Sequence, residues 1–311
     1  MMSNIPHTPV LLKEVIDSFI TIKKGYFIDC TLGYAGHSKA ILDRFQNIKH
    51  IGIDRDIEAL DFSKKELERF KNRTSFHKGT FTTILPLLKE EPIVGILADF
   101  GVSSLQLDKK ERGFSFKSTT LDMRMDKSSS LSAYDVVNGY SREKLEYILS
   151  SYGQVRLYKK VVDAIIEVRN KKPIESAKEL SDIIAKVIPK RGRINPSTLP
   201  FQAIRIEVNS ELKEIEGLLD IIEQKAKEGK LKGAIVSLIT FHSLEDRLVK
   251  TRYKKWSQSC ICDSNAVRCS CGNGHELGKM LIRKPITASK EELARNIRSR
   301  SAKLRTFIFK G

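Results

Sequence analysis

A short apolar run closed by an acid, Tyr26-Phe27-Ile28-Asp29, is followed by a loop holding Gly33 and Gly36 and then by a helical pattern, Lys39-Ala40-Ile41-Leu42. No other stretch constrains the chain as much, because strand, glycine loop and helix form the opening unit of a nucleotide-binding α/β fold. Glycine lets the backbone approach a ligand closely, and a helix N-terminus offers N–H donors to an anionic group. A second apolar run, His50-Ile51-Gly52-Ile53, ends at Asp54. That is near the spacing of about 20 residues at which an acid meets ribose hydroxyls. The loop is Gly33-x-x-Gly36 rather than the full G-x-G-x-x-G, so taken alone it also fits a plain α/β turn with tight helix packing.

The pattern recurs further on. Thr74–His77 reads as a weak strand with Gly79-Thr80-Phe81 at its end, and Ile93–Ala98 as a buried strand ending at Asp99. Three strand ends thus deliver Asp29, Asp54 and Asp99, with Phe81 at a fourth. Ligands of open parallel sheets lie outside the carboxyl ends of the strands, so this recurrence favours a nucleotide site over the plain turn. Helices are expected over Lys13–Phe19, Ile57–Phe70 and Ile84–Lys89. From Leu107 the texture changes to a loop-rich stretch and then to helices over Ala133–Asn138, Arg142–Ser150, Gln154–Lys171, Ala177–Ile188 and Pro200–Lys227. About a hundred residues without a strand is too long for one crossover. The expected organisation is therefore a core of residues 1–106 and 211–311 interrupted by a helical domain over 107–210. The sheet resumes at Gly233–Ile239, and a basic tail over 290–310 closes on a strand-like Thr306–Phe309. The predicted fold is α/β: a mostly parallel, doubly wound, Rossmann-like sheet with an all-helical insertion.

An apolar content of 41% with 30% charged residues belongs to a globular chain, not a disordered one. The formal charge of +17 suits a phosphate backbone, although a solvated lysine-rich surface gives the same count. Lys190-Arg191-Gly192-Arg193 is a basic turn that reads as a solvated loop or as an RNA-facing one. No run approaches the 18 apolar residues of a membrane span, and no signal peptide opens the chain. A cytoplasmic protein with no membrane partner is expected, its five cysteines reduced. Four of them form two C-x-C pairs, Cys260/Cys262 and Cys269/Cys271, with Asp263 and His275 nearby. Such pairs could ligate tetrahedral zinc, though C-x₂₋₄-C is the commoner spacing. Structural zinc and free thiols both stay open.

With these residues laid out, the chain resembles the MraW/RsmH family of ribosomal small-subunit RNA cytosine-N4 methyltransferases. The blocks are His7-x-Pro9-Val10-Leu11-Leu12, Asp29-x-Thr31-x-Gly33-x-x-Gly36-His37-Ser38 and Gly101-Val102-Ser103-Ser104-x-Gln106-Leu107-Asp108. Arg112-Gly113-Phe114-Ser115-Phe116, Leu121-Asp122-Met123-Arg124-Met125 and Phe201-Gln202-Ala203-x-Arg205-Ile206 follow. Phe241-His242-Ser243-Leu244-Glu245-Asp246-Arg247 and Ser301-Ala302-Lys303-Leu304-Arg305 complete the set. They run in family order over nearly the whole chain. Departures fall at Phe100 (usually Leu), Leu105 (Pro), Ala35 (Gly), Asn195 and Leu199 (His and Arg) and Ile297 (Pro). The Ala35 loop keeps its function provided that position needs no positive φ.

The resemblance implies S-adenosylmethionine as methyl donor and 16S rRNA of the small ribosomal subunit as substrate. It implies that backbone at Ala35, Gly36 and His37 holds the methionine end, that Asp54 accepts from the ribose hydroxyls, and that Phe81 packs beside adenine, where ordinary core packing is the competing reading. Asp99 and Gln106 complete the pocket, with Asp99 nearest the reacting centre. The exocyclic amine of cytosine is a poor nucleophile because its lone pair is delocalised into the ring. An acceptor holding its N–H groups favours a pyramidal nitrogen, so Asp99, or a neighbouring carbonyl, is the candidate catalytic group. Asp99 serving only the cofactor's amino group is the alternative. His242, Ser243, Arg247 and the tail residue Arg305 are candidate RNA contacts, and no covalent cysteine is needed, which leaves Cys30 to pack under the loop. A nicotinamide-dependent dehydrogenase is disfavoured by the degenerate glycine pattern and the charge. A noncatalytic RNA-binding module does not explain three acids at strand ends. A DNA or other RNA amino-methyltransferase remains the rival within the same chemistry.

Overall fold

The apolar runs become strands of one sheet: β1 (Gly25–Asp29), β2 (Ile48–Asp54), β3 (Thr74–Lys78), β4 (Ile93–Asp99), β5 (Ile235–Thr240), β6 (Gly278–Met280) and β7 (Lys303–Phe309). The computed structural model describes residues 8–190, 192, 195–263, 265 and 268–311. His7, Arg191 and Arg193 of the sequence blocks lie outside the described residues. Strand order is β3-β2-β1-β4-β5-β7-β6. β1 to β5 pair in parallel, and β7 pairs antiparallel with both β5 and β6. This is the doubly wound Rossmann-like sheet expected from the sequence, with an antiparallel edge.

Parallel strands need apolar residues on both faces because helices cover both sides. Every residue of β5 is buried. One face packs Ile28, Ile51, Ile96, Val236 and Leu238 with Tyr253, Trp256 and Phe307. The other packs Phe27, Leu97, Ile235 and Ile239 with Val15, Phe19, Ile41 and Leu42. In the sheet register Asp29 stands opposite Gly52 and Leu97, so β1, β2 and β4 finish within a few residues of one another.

Contacts divide the chain into two compact units, Met1–Gly101 with Lys213–Gly311, and Val102–Leu212. The second unit has its own apolar core, from Phe114, Leu121 and Met123 through Val161, Ile165 and Leu180 to Phe201 and Ile204. Its helices Ala133–Gly139, Arg142–Ser151 and Ala177–Val187 each start at a serine, Ser132, Ser141 or Ser176, whose side chain accepts an N–H of the first turn. The loop-rich blocks are ordered by polar anchors. The buried Arg112 donates to the carbonyls of Arg124 and Met125, and Asn209 clasps Met123 O and Met125 N at 2.8 Å each.

Three helix expectations are corrected. Pro200–Lys227 is two helices, Thr198–Asn209 and Glu211–Lys227, broken at Ser210 where φ is +51°. Gln154–Lys171 begins only at Tyr158, because Gln154 also takes a positive φ after the preceding helix ends. Ile84–Lys89 is replaced by a turn of helix at Phe81–Ile84 and a 3₁₀ turn at Leu85–Leu87.

Candidate functional site

The glycine loop connects β1 to the helix Gly36–Arg44, and each of its constraints has a visible cause. Gly33 and Ala35 adopt φ of +50° and +58°. The loop thus does require left-handed backbone at Ala35, a conformation costing a non-glycine residue roughly 1–2 kcal/mol. Gly36 is fixed by space: a Cβ there would lie 2.3 Å from Pro9 Cγ. The N-terminal block therefore braces the loop from behind, and Val10 O accepts from His37 Nε2 at 2.8 Å. A carbonyl can only accept, so Nε2 carries the proton. Burial pushes the imidazole down to about 4, leaving Nδ1 a bare acceptor at neutral pH.

Three acids gather at the ends of β1, β2 and β4. Asp29 is buried, accepting Thr31 N–H at 3.1 Å and the Ser38 hydroxyl at 2.6 Å. Asp54 accepts Gly33 N–H at 2.8 Å and Asp56 N–H at 2.9 Å, which ties the end of β2 to the glycine loop. Asp99 donates its backbone N–H to Thr31 Oγ1 at 2.6 Å, and its Oδ2 lies 4.0 Å from His37 Nδ1. Its Oδ1 is buried and has no hydrogen-bond partner among the described residues.

The acids strain one another electrostatically. Burial, opposed in part by hydrogen bonds and reinforced by Asp54, lifts Asp29 to about 6. Burial likewise lifts Asp54 to about 6. Burial and the charges of Asp29 and Glu245 raise Asp99 well above the usual carboxylate range. The positive charge acting on the trio is that of Arg55 on Asp54, the last and smallest of the influences on that carboxyl. Such a cluster is relieved by a positive ligand.

Phe81 is buried at the start of its helical turn, its ring centroid 6.2 Å from Phe100, in the same apolar core as Ile28 and Ile53. Gln106 belongs to the second unit, where its side-chain oxygen accepts Ser103 N–H at 3.0 Å. His242 caps the helix Ser243–Trp256: its Nδ1 accepts Glu245 N–H while Glu245 accepts the N–H groups of Phe241 and His242. Ser243 and Arg247 are exposed on that helix. Arg305 is a correction to the sequence reading. It is buried, with its guanidinium held bidentately by Asp246 at 2.7 and 3.2 Å, so it is an internal ion pair rather than a phosphate contact. Cys30 is buried in the apolar core that also holds Ile28 and Ile53. The thiols of Cys260, Cys262, Cys269 and Cys271 all lie within 4.8 Å of one another.

Sequence reasoning did not assign Asp29, Thr31 or Glu245 to the site. Asp29 was visible as a strand end, but its contact with Ser38 depends on the loop turning back. Glu245 comes from the first turn of the helix after β5, more than a hundred residues away, and only the sheet order β1-β4-β5 brings its charge to bear on Asp99.

Comparison with known proteins adds to this geometry. Residues 4–310 match the model of the MraW methylase family. A relative from a Sulfurovum species (strain NBC37-1), named ribosomal RNA small subunit methyltransferase H, is 67% identical over 305 residues, covering 98% of each chain. Relatives of the same name from Aliarcobacter butzleri and Wolinella succinogenes are 55% and 54% identical, each covering 98% of this chain and 99% of their own.

Proposed function

The chain belongs to the MraW methylase family, and from that premise we propose that it transfers a methyl group from S-adenosylmethionine to the exocyclic N4 amine of a cytosine in 16S rRNA of the small ribosomal subunit. The family resemblance implies that this cytosine is the one at position 1402. The observation that carries this reading is the trio Asp29, Asp54 and Asp99: acids lifted above the usual carboxylate range at the strand ends beside a helix N-terminus, Asp29 buried and Asp99 with one orphaned oxygen.

The residues fit the donor. S-adenosylmethionine supplies an electrophilic methyl on a positively charged sulfur. The first-turn N–H groups of Gly36 and His37 would hold its carboxylate at the helix start, while Ala35 N–H closes the loop on Leu32 O at 2.7 Å. Asp54 has two lone pairs left after accepting from Gly33 and Asp56, enough for a ribose diol. Asp99 Oδ1 accepts an N–H of the target amine, favouring a pyramidal nitrogen whose lone pair faces the methyl. The chain's contribution is chiefly positioning. The N4 proton lost after transfer passes to water. Phe81 packs beside adenine, and Ser243 and Arg247 contact the RNA strand around a turned-out base.

The test is to incubate the chain with methyl-labelled S-adenosylmethionine and, separately, assembled small subunits, free rRNA or DNA, and to map the label. Label on cytosine N4 of 16S rRNA is expected; label on DNA alone, or on a different RNA atom, refutes the assignment.

A further inference from the structure

The four clustered thiols lie in the loop that joins the helix Ser243–Trp256 to the edge strand β6, away from the acid cluster and unused by the proposed chemistry. Their spacing is regular. Sγ separations are 3.6 Å for Cys260–Cys269, 4.0 Å for Cys262–Cys269, 3.6 Å for Cys269–Cys271 and 3.7 Å for Cys260–Cys271. A regular tetrahedron with edges of about 3.7 Å has its centre about 2.3 Å from every corner, which is the zinc–sulfur bond length. Disulfides require sulfurs about 2 Å apart, and these cysteines are unbridged.

The backbone is arranged for thiolates. Ser270 N–H points at Cys262 Sγ at 3.2 Å and Ile261 N–H at Cys271 Sγ at 3.4 Å. Each donor sits inside a C-x-C turn and serves a sulfur of the other pair, so the two turns hold each other's ligands. The other potential ligands nearby are engaged elsewhere. His275 Nε2 bonds Cys271 O at 2.8 Å, and Asp263 Oδ1 accepts Asn265 N–H at 2.8 Å. Hydrophobic burial does not explain the cluster, since Cys260 and Cys269 are exposed.

We propose that Cys260, Cys262, Cys269 and Cys271 bind one zinc ion as a closed, structural tetrathiolate site that pins the 257–277 loop. With four protein ligands no position is left for water or substrate, so the ion has no catalytic role. Among the described residues its ends are tied by His275 N to Ser259 O, Gly274 N to Ser259 Oγ, Leu277 N to Trp256 O, Lys310 N to Leu277 O and the Lys310–Glu276 ion pair at 2.6 Å.

The full chain, purified without chelator, should carry one zinc per molecule by plasma mass spectrometry. Replacement by cobalt(II) should give the intense sulfur-to-metal charge-transfer and visible bands of tetrahedral S₄ coordination. Cys269→Ser should reduce zinc content at least tenfold; should that variant fail to fold, the cobalt spectrum of the unaltered chain still decides. Metal-free folded protein, iron in place of zinc, two disulfides in the cysteine loop, or full zinc in Cys269→Ser would each overturn the proposal.

Discussion

Asp29→Asn should stabilise the ligand-free protein at alkaline pH while weakening cofactor binding. Asp29 rises from 3.8 to about 6 in the fold, chiefly because it is buried. At about 1.36 kcal/mol per pH unit, this amounts to about 3 kcal/mol. The sign follows from proton counting: between pH 4 and 6 the folded chain holds a proton that the unfolded chain has released. Stability therefore falls as pH rises through that window, and the full deficit remains above pH 6. Asparagine does not titrate and keeps the hydrogen bonds. Its oxygen accepts from Thr31 N–H, and its amide donates to Ser38 Oγ. The Ser38 hydroxyl then turns to His50 Nε2, 2.7 Å away, which can accept because burial keeps that imidazole neutral, with a pKa of about 3. The variant should thus gain at most about 3 kcal/mol over the parent at pH 8 and almost nothing at pH 4. For a unit of this size that corresponds to roughly 6–12 °C in melting temperature. Thermal unfolding of both proteins without cofactor, from pH 4 to 8, measures it. A variant that melts lower at pH 8, or a gain equal at both ends, would refute the account of a strained carboxylate.

Asp99→Asn should lower turnover about 10²–10³-fold with cofactor affinity changed less than about tenfold, read by single-turnover kinetics and calorimetric titration; unchanged turnover removes Asp99 from the chemistry. S-adenosylmethionine affinity should fall as pH drops below about 6, because Asp29 and Asp54 take up protons there and a cationic ligand favours their charged forms. Titration at pH 5 and 8 checks this, and equal affinity at both counts against it. Arg305→Ala should cost about 3 kcal/mol of stability by leaving Asp246 buried without its main partner, although Lys303 at 3.2 Å answers part of that charge. Arg247→Ala, on an exposed position, should weaken RNA binding without lowering the melting temperature.

The strands were legible for a physical reason: a parallel sheet buried on both faces makes its strands continuous apolar runs, and Ile93–Ala98 and Gly233–Ile239 are such runs. β6 has three residues, too few to carry any pattern. Periodicity carried the helix Pro200–Lys227 straight through Ser210, because what breaks it is tertiary. The Asn209 side chain is drawn into the loop blocks at Met123 and Met125, more than eighty residues upstream, and the chain reverses its local hand immediately after. Arg305 failed in the same way. Its charge could be counted in the sequence, but Asp246 could be found beneath it only after β5 and β7 had paired.

The same distinction separates the candidate site residues from the groups that support them. The candidate acids stand at strand ends, where the local sequence announces them: Asp29, Asp54 and Asp99 each close an apolar run. Groups that hold the ligand's surroundings in place, such as Pro9 against Gly36 or Val10 O on His37, reach the loop from the far N-terminus and leave no local signature. Ala35 connects the two. It accepts a left-handed backbone that glycine would adopt freely, and it is wholly buried among Val10, Leu11 and Ile41. Burial of one methyl, about 0.8 kcal/mol, offsets roughly half of the conformational cost. A chain can therefore depart from glycine here without losing the loop.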